Sequence, residues 1–141
     1  MDEIMKKYPN DVKFVLKNGP RGSLDESNNK YTAALYAVAA GKQGKYFEMS
    51  HKMFDNFSEL RKNSELPVQL AAELGLDTQQ FIKDYNSAEV RDLVAKEKQQ
   101  FSSLRSQGMQ RLGVPKFLIN GKEPARRSVD VWSEIIDELI K

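Results

Sequence analysis

The hydrophobic residues of this chain recur mostly at the spacing of amphipathic helices. The stretch from Trp132 to Ile140 repeats apolar residues at positions i, i+3, i+4, i+7 and i+8, which places them on one helical face. Asp77 and Ser87 are residue types that favour helix N-caps, and each precedes a similar pattern. The predicted helices span residues 2–8, 29–40, 42–57, 67–75 and 87–109, with a short helix starting after Asp77 and a last helix starting after Ser128.

Two stretches have the composition of strands instead. Residues 12–17 (Val-Lys-Phe-Val-Leu-Lys) are rich in β-branched and aromatic side chains. Residues 117–119 (Phe-Leu-Ile) form a short apolar run, and Asn120-Gly121 after it favours the type I′ turn of a β-hairpin. Pro115 stands at the entrance of this strand, where its missing N–H costs no interior ladder bond. The order strand, helices, hairpin, helix predicts an α/β domain with a helical insert.

Composition and charge narrow the function without defining it. The 141 residues suit one domain, and 22 basic against 20 acidic residues give a net charge of +2. That balance offers no electrostatic argument for a nucleic-acid partner or an anionic membrane, and no apolar run is long enough for membrane insertion. The chain has no cysteine, so it cannot supply a disulfide, a thiolate nucleophile or a cysteine-bound metal. We predict no metal and no cofactor.

His51 is the only histidine and the one candidate for acid–base or metal chemistry. It falls between Phe47 and Phe54 on the predicted helix over residues 42–57, whose apolar face is predicted to include both phenylalanines. No second histidine and no cysteine is available to complete a ligand set. We therefore interpret His51 as a packed or surface residue and predict no catalytic residue in this chain.

Three groups of residues, taken in order, resemble one protein family. The first runs from Tyr8 to Asn18 and the second from Ala33 to Phe54. The third consists of Leu74-Gly75-Leu76-Asp77 and, later, residues 113–122 (Gly-Val-Pro-Lys-Phe-Leu-Ile-Asn-Gly-Lys). Together they are similar to the bacterial DsbA-type thiol-disulfide oxidoreductases, which are thioredoxin-like α/β folds with an inserted helical subdomain.

The resemblance covers nearly the whole chain and implies one DsbA-like thioredoxin domain over residues 1–141. Residues 1–17 and 111–141 are expected to form its thioredoxin-like core, and residues 18–110 a loop and the helical insert. In the family, a first strand leads into a helix that begins with a Cys-x-x-Cys motif. The sequence here opens at Met1, partway along the corresponding helix, so the resemblance implies an N-terminally incomplete fold.

Two expectations follow from the position of the first strand in the family. In the thioredoxin topology it lies between the strands predicted at residues 12–17 and 116–119, so its loss leaves a vacancy in the sheet. Because unpaired strand edges pair readily with other chains, we expect self-association as a homo-oligomer such as a dimer, by strand exchange or direct pairing.

The resemblance also indicates a binding site. Pro115 falls at the family's cis-proline position, and a cis bond there turns the neighbouring backbone outward, where an extended or unfolded peptide could pair with it. Gly113, Val114 and Pro115 are therefore the predicted substrate-binding residues. Lys116 departs from the threonine common in the family, so no substrate preference is inferred.

Three functional hypotheses remain open. The chain is a fragment or truncated form of a DsbA-type oxidoreductase, without redox activity because it is free of cysteine. Alternatively, it is a redox-inactive module that binds peptides or associates with itself. A third hypothesis, a relative of glutathione-dependent isomerases, ranks last because those enzymes need an N-terminal serine or cysteine that this chain lacks. Family members usually work outside the cytoplasm, but no signal peptide is recognisable here, so the sequence assigns no compartment.

Overall fold

The computed structural model describes residues 1–109 and 111–141, and it is mainly helical in these ranges. Seven α-helices lie in this described part of the chain. They span Asp2–Lys7 (α1), Asn29–Gly41 (α2), Tyr46–Asp55 (α3), Leu66–Glu73 (α4), Thr78–Tyr85 (α5), Ala88–Ser103 (α6) and Val129–Leu139 (α7). The helix predicted over residues 29–40 is confirmed, as are the helix starts predicted at Asp77 and Ser87.

The helices belong to two compact units. The first, which we call the helical unit, is the uninterrupted segment Asn18–Gln107 and contains α2 to α6. The second, which we call the terminal unit, combines Met1–Lys17 with Gly108–Lys141 and contains α1 and α7. Along the sequence, the helical unit therefore separates the two pieces of the terminal unit.

Helix α2 forms the centre of the helical unit because its small residues allow close packing on two sides. One side packs with α3, α4 and α5 in a cluster that includes Ala39, Met49 and Phe81, all fully buried. The other side packs on α6 through Leu35 and Val94. Each large apolar side chain buried in this way contributes about 1.5–3 kcal/mol.

Side-chain hydrogen bonds fix the ends of several helices in this unit. The Asp77 carboxylate accepts a bond from the Gln80 N–H at 3.0 Å and so caps α5. Gln43, which follows α2, contacts the Asp77 backbone twice. Its side-chain oxygen accepts from the Asp77 N–H at 2.9 Å, and its side-chain amide donates to the Asp77 carbonyl at 3.0 Å. These bonds hold the end of α2 to the start of α5.

The first residue of the helical unit is also held by hydrogen bonds. The backbone N–H and the side-chain amide of Asn18 donate to Glu97 of α6 at 2.8 and 2.9 Å. The Tyr46 hydroxyl donates to the Asn18 side-chain oxygen at 2.9 Å. Burial raises the pKa of Tyr46, which keeps its hydroxyl protonated as the donor. Residue 18 is thereby fixed against both α3 and α6.

In the terminal unit, α1 packs against α7. Ile4, Tyr8 and Ile136 form its buried cluster. The Tyr8 hydroxyl lies 2.7 Å from an Asp137 carboxylate oxygen and 3.3 Å from the Ser133 carbonyl oxygen, so it is satisfied although buried. The last helix therefore carries the small core of this unit.

The predicted sheet is not formed in the described residues. The only β pairing there is a single bridge between Ile119 and Lys122, and residues 12–17 have no strand assignment. The strand predicted at residues 12–17 is therefore wrong for this structure, and the α/β architecture is not confirmed. The physical reason is that a strand needs a neighbour for its ladder of hydrogen bonds, and residues 12–16 form no β ladder with any described segment.

The helix predicted over residues 42–57 also needs correction. It begins only at Tyr46, because Gly44 takes a positive φ of 77° in the turn after α2. Its buried face consists of Met49 and Met53, whereas Phe54 is 79% exposed. The prediction that the phenylalanines of this helix face the core is wrong.

Candidate functional site

The predicted site lies in the terminal unit, next to a small hairpin. The Ile119 N–H donates to the Lys122 carbonyl at 2.8 Å, and the Lys122 N–H donates to the Ile119 carbonyl at 3.0 Å. Asn120 and Gly121 form the turn with positive φ angles of 46° and 82°. Both values suit a type I′ turn, so the turn chemistry inferred from the sequence is found in the structure.

This hairpin is anchored on α7 by aromatic packing. The Phe117 ring packs on Trp132 with a distance of 4.8 Å between ring centroids. The Arg127 guanidinium lies over the Phe117 ring at 5.7 Å from its centroid. The Trp132 indole N–H donates to the Arg126 carbonyl at 3.0 Å. The segment leading into the hairpin is thus held at its base by a fixed aromatic pair.

Lys116 holds together the segment over residues 111–123, which includes the hairpin, through contacts of its side chain. Its side chain is only 7% exposed, and its ammonium group pairs with Glu123 at 2.5 Å. The same ammonium donates to the Arg111 carbonyl at 3.1 Å. Because both ends of the segment contact this one group, Lys116 has a structural role at a position where the sequence analysis found a departure from the family pattern.

The three predicted site residues are consecutive and exposed between these anchors. Val114 is 51% exposed, and Gly113 and Pro115 are exposed as well. The Val114–Pro115 peptide bond is cis. Within the described residues, neither Val114 nor Leu118 has a hydrogen bond on its backbone N–H or carbonyl. The segment therefore presents backbone donors and acceptors beside two exposed apolar side chains.

A second segment of the terminal unit has a similar character. Along residues 12–15, half-buried Val12 and Phe14 alternate with exposed Lys13 and Val15, as in a strand with one covered face. Val15 is 59% exposed, and in the described structure its backbone has no hydrogen-bond partner. These residues therefore have the alternating burial of a strand although no ladder is formed.

The remaining candidate from the sequence, His51, is not part of this site. It is exposed on α3, in the helical unit. Over residues 1–109 and 111–141, no group of three or more potential metal-binding side chains occurs. No helix in the same ranges has the length and apolar character needed to cross a bilayer.

Sequence reasoning missed two contributors to the site. Leu118 was assigned to a predicted strand but is 38% exposed, and no sheet is formed around it in the described residues. The ion pair between Lys116 and Glu123 joins residues seven positions apart and depends on the hairpin turn. A lysine next to a strand entrance, followed by a glutamate beyond the turn, was the signal available in the sequence.

The sequence of this chain is similar to those of known proteins. The profile of a family described as "DSBA-like thioredoxin domain" matches residues 3–136. A stretch of 85 residues is 31% identical to the Na(+)/H(+) antiporter NhaA 1 of Mycolicibacterium vanbaalenii, covering 60% of this chain and 13% of that protein. The chain thus spans only a small part of the length of this curated relative. No solved structure matches the chain.

Proposed function

Because this chain belongs to the DSBA-like thioredoxin domain family, we propose that it is a thiol-free member that binds extended polypeptide segments at Gly113, Val114 and Pro115. The family relates it to thiol-disulfide oxidoreductases, whose chemistry needs a thiolate. These 141 residues contain no cysteine, so they supply no sulfur for disulfide exchange. Binding is the part of the family's activity that these residues can perform.

The observation that carries the proposal is the combination of unpaired backbone and exposed apolar side chains in a segment that is fixed at both ends. An extended peptide can pair with such an edge by β-augmentation, in which the peptide contributes only hydrogen bonds of its backbone. Val114 and Leu118 provide apolar contact for alternate side chains of the incoming peptide. Lys116 keeps the segment in place, which lowers the entropy lost on binding.

The expected affinity is modest. Each backbone hydrogen bond contributes about 0.5–1.5 kcal/mol in net terms, and only a few can form along this short edge. Because recognition depends on the peptide backbone, we expect little sequence selectivity beyond a preference for apolar side chains. This behaviour is suited to transient binding of unfolded chains.

Replacing Val114 by proline tests the backbone pairing directly. Val114→Pro removes the N–H that we propose pairs with the peptide, and we expect it to weaken binding of an unfolded, apolar model peptide about tenfold, which corresponds to about 1.4 kcal/mol. Val114→Thr is the matched control, because it keeps the N–H and the β-branched shape, and it should bind within about twofold of the original chain. Titration followed by fluorescence anisotropy of a labelled peptide measures both.

Trp132 fluorescence shows whether the proline variant keeps the hairpin on α7. If that signal is unchanged and Val114→Pro binds as tightly as Val114→Thr, the peptide does not pair with this backbone and the proposal is wrong.

A second candidate function, self-association, is favoured by the exposed segment around Val15. Its free backbone and its apolar side chain offer an edge to a second copy of the chain. We expect dimers at micromolar concentration in sedimentation velocity. Val15→Lys should shift the protein toward monomer, since a lysine on a strand edge opposes pairing.

Ile82→Lys is the control for this experiment, because it adds the same charge at an exposed apolar position of α5 in the helical unit. A monomer at all concentrations tested, or equal effects of both variants, would contradict pairing through residues 12–17.

A further inference from the structure

The helical unit contains a cleft that the peptide-binding proposal does not use. It has a volume of about 310 Å³ and lies between α2, the connection from α3 to α4, and the end of α5. This volume is at the small end of the range of ligand sites, about 300–1,000 Å³. The residues that line it include Glu26, Asn29, Tyr36, Arg61, Ser64 and Tyr85.

One wall of the cleft is a rigid aromatic stack. The rings of Tyr36 and Tyr85 lie 4.2 Å apart between centroids, with 16° between their planes. Tyr36 also stacks on the buried Phe81 at 5.8 Å, and the Arg91 guanidinium lies 5.6 Å from the Tyr85 ring centroid. Desolvation raises the pKa of both tyrosines, so their hydroxyls remain protonated. The two side chains also hydrogen-bond to each other, which leaves one hydroxyl proton for a ligand.

Glu26, the carboxylate among the described lining residues of the cleft, is engaged in an ion pair. Glu26 pairs with Arg91 at 2.7 Å, between residues 65 positions apart in the chain. The ion pair offsets part of the repulsion that an incoming anion would meet, while the Glu26 charge still acts on both tyrosines. Arg91, which lies over the Tyr85 ring, thus engages the negative charge that a bound cation would need.

The positive charge on the opposite side has no such partner. Arg61 lies over the Phe57 ring at 5.1 Å from its centroid, and its guanidinium has no ion pair or hydrogen bond within the described residues. The neighbouring Lys62 is only weakly paired, at 3.4 Å from Glu59. The ring holds the guanidinium in place while leaving its N–H groups free. Asn29 and Ser64 add side-chain donors without a partner in the described structure.

We propose that this cleft binds a small organic oxyanion, carried by a carboxylate or a phosphate, with its charged oxygens on Arg61. A planar guanidinium matches such oxygens in a two-point contact. Asn29, Ser64 and one tyrosine hydroxyl donate to the remaining oxygens, and the aromatic wall covers the body of the ligand. The site is independent of the peptide-binding segment, because it lies wholly in the helical unit.

The test is a titration of the full chain with succinate and with inorganic phosphate at constant ionic strength, followed by amide NMR. We expect saturable shifts at Asn29 and Ser64 for at least one probe, and the probe that saturates identifies the carboxylate or the phosphate as the charged group. Arg61→Gln should weaken that binding about tenfold, the loss of a charged hydrogen-bonded contact. Circular dichroism checks that the exposed substitution leaves the helices intact.

Arg105→Gln is the control, because it removes the same charge from an exposed position outside the cleft. It should leave the dissociation constant within about twofold of the original chain. Shifts that never saturate, or equal weakening in both variants, would mean that the anions respond only to general positive charge, and the proposal would be overturned.

Discussion

Replacing Phe81 by alanine is expected to lower the free energy of unfolding of the helical unit by about 3–5 kcal/mol. Phe81 has 0% exposure, stacks on Tyr36 and belongs to the cluster that joins α2, α3, α4 and α5. Truncation removes the transfer free energy of the ring and leaves a cavity, which the small residues of α2 are too short to fill. Since a domain of this size is stable by only about 5–15 kcal/mol, the loss takes a large part of the total.

Urea denaturation followed by far-ultraviolet circular dichroism measures this loss. Phe54→Ala is the matched control, because it makes the same chemical change on an exposed helix face, and it should alter stability by no more than about 0.5 kcal/mol. Should Phe81→Ala fail to fold, Phe81→Leu keeps most of the volume and should cost less than about 1.5 kcal/mol. Similar losses for Phe81→Ala and Phe54→Ala would contradict the packing described for α5.

The second large effect is expected in the terminal unit, where Ile136→Ala should cost about 2–5 kcal/mol. Ile136 is buried with Ile4 and Tyr8, and this cluster is the main apolar contact between α1 and α7. Trp132 is the only tryptophan of the chain and lies on the same helix, so its fluorescence reports on this unit. The urea midpoint observed by fluorescence should therefore fall.

Ile140→Ala serves as the control for that experiment. Ile140 follows α7 and is exposed, so truncating it should change the midpoint little. If both isoleucine variants shift the fluorescence midpoint equally, Ile136 does not have the buried role that the structure gives it.

The helical unit was largely predictable from the sequence because its signals are local. The caps at Asp77 and Ser87 and the alanine-rich period of α2 each depend on residues within a few positions of one another. The buried face of α3 was not predictable in this way. That helix contains both phenylalanines and methionines, so its sequence alone does not show which of them are buried. Contact with α2 determines that they are Met49 and Met53.

The features that sequence reasoning missed depend on contacts between distant residues. Residues 12–17 have the composition of a strand, but whether they form one depends on a partner strand, and no strand is assigned at these residues. The oxyanion cleft depends on the stacking of Tyr36 on Tyr85 and the pairing of Glu26 with Arg91. Neither pair has a spacing that local patterns reveal. The turn after Ile119, in contrast, was predictable from Asn120 and Gly121 alone, both of which take positive φ.

The uninterrupted course of the helical unit has a consequence for the order in which the chain acquires structure on the ribosome. Asn18–Gln107 is complete in sequence before any residue of Gly108–Lys141 is synthesised. Since domains tend to fold as units in the order of their synthesis, the five central helices can assemble while translation continues. Ile4 and Tyr8 must wait for Ile136, which is synthesised after the whole helical unit. During that interval Ile4, Tyr8 and Val12 have no Ile136 to pack against, and this is the period in which a chaperone would have the most apolar surface to bind.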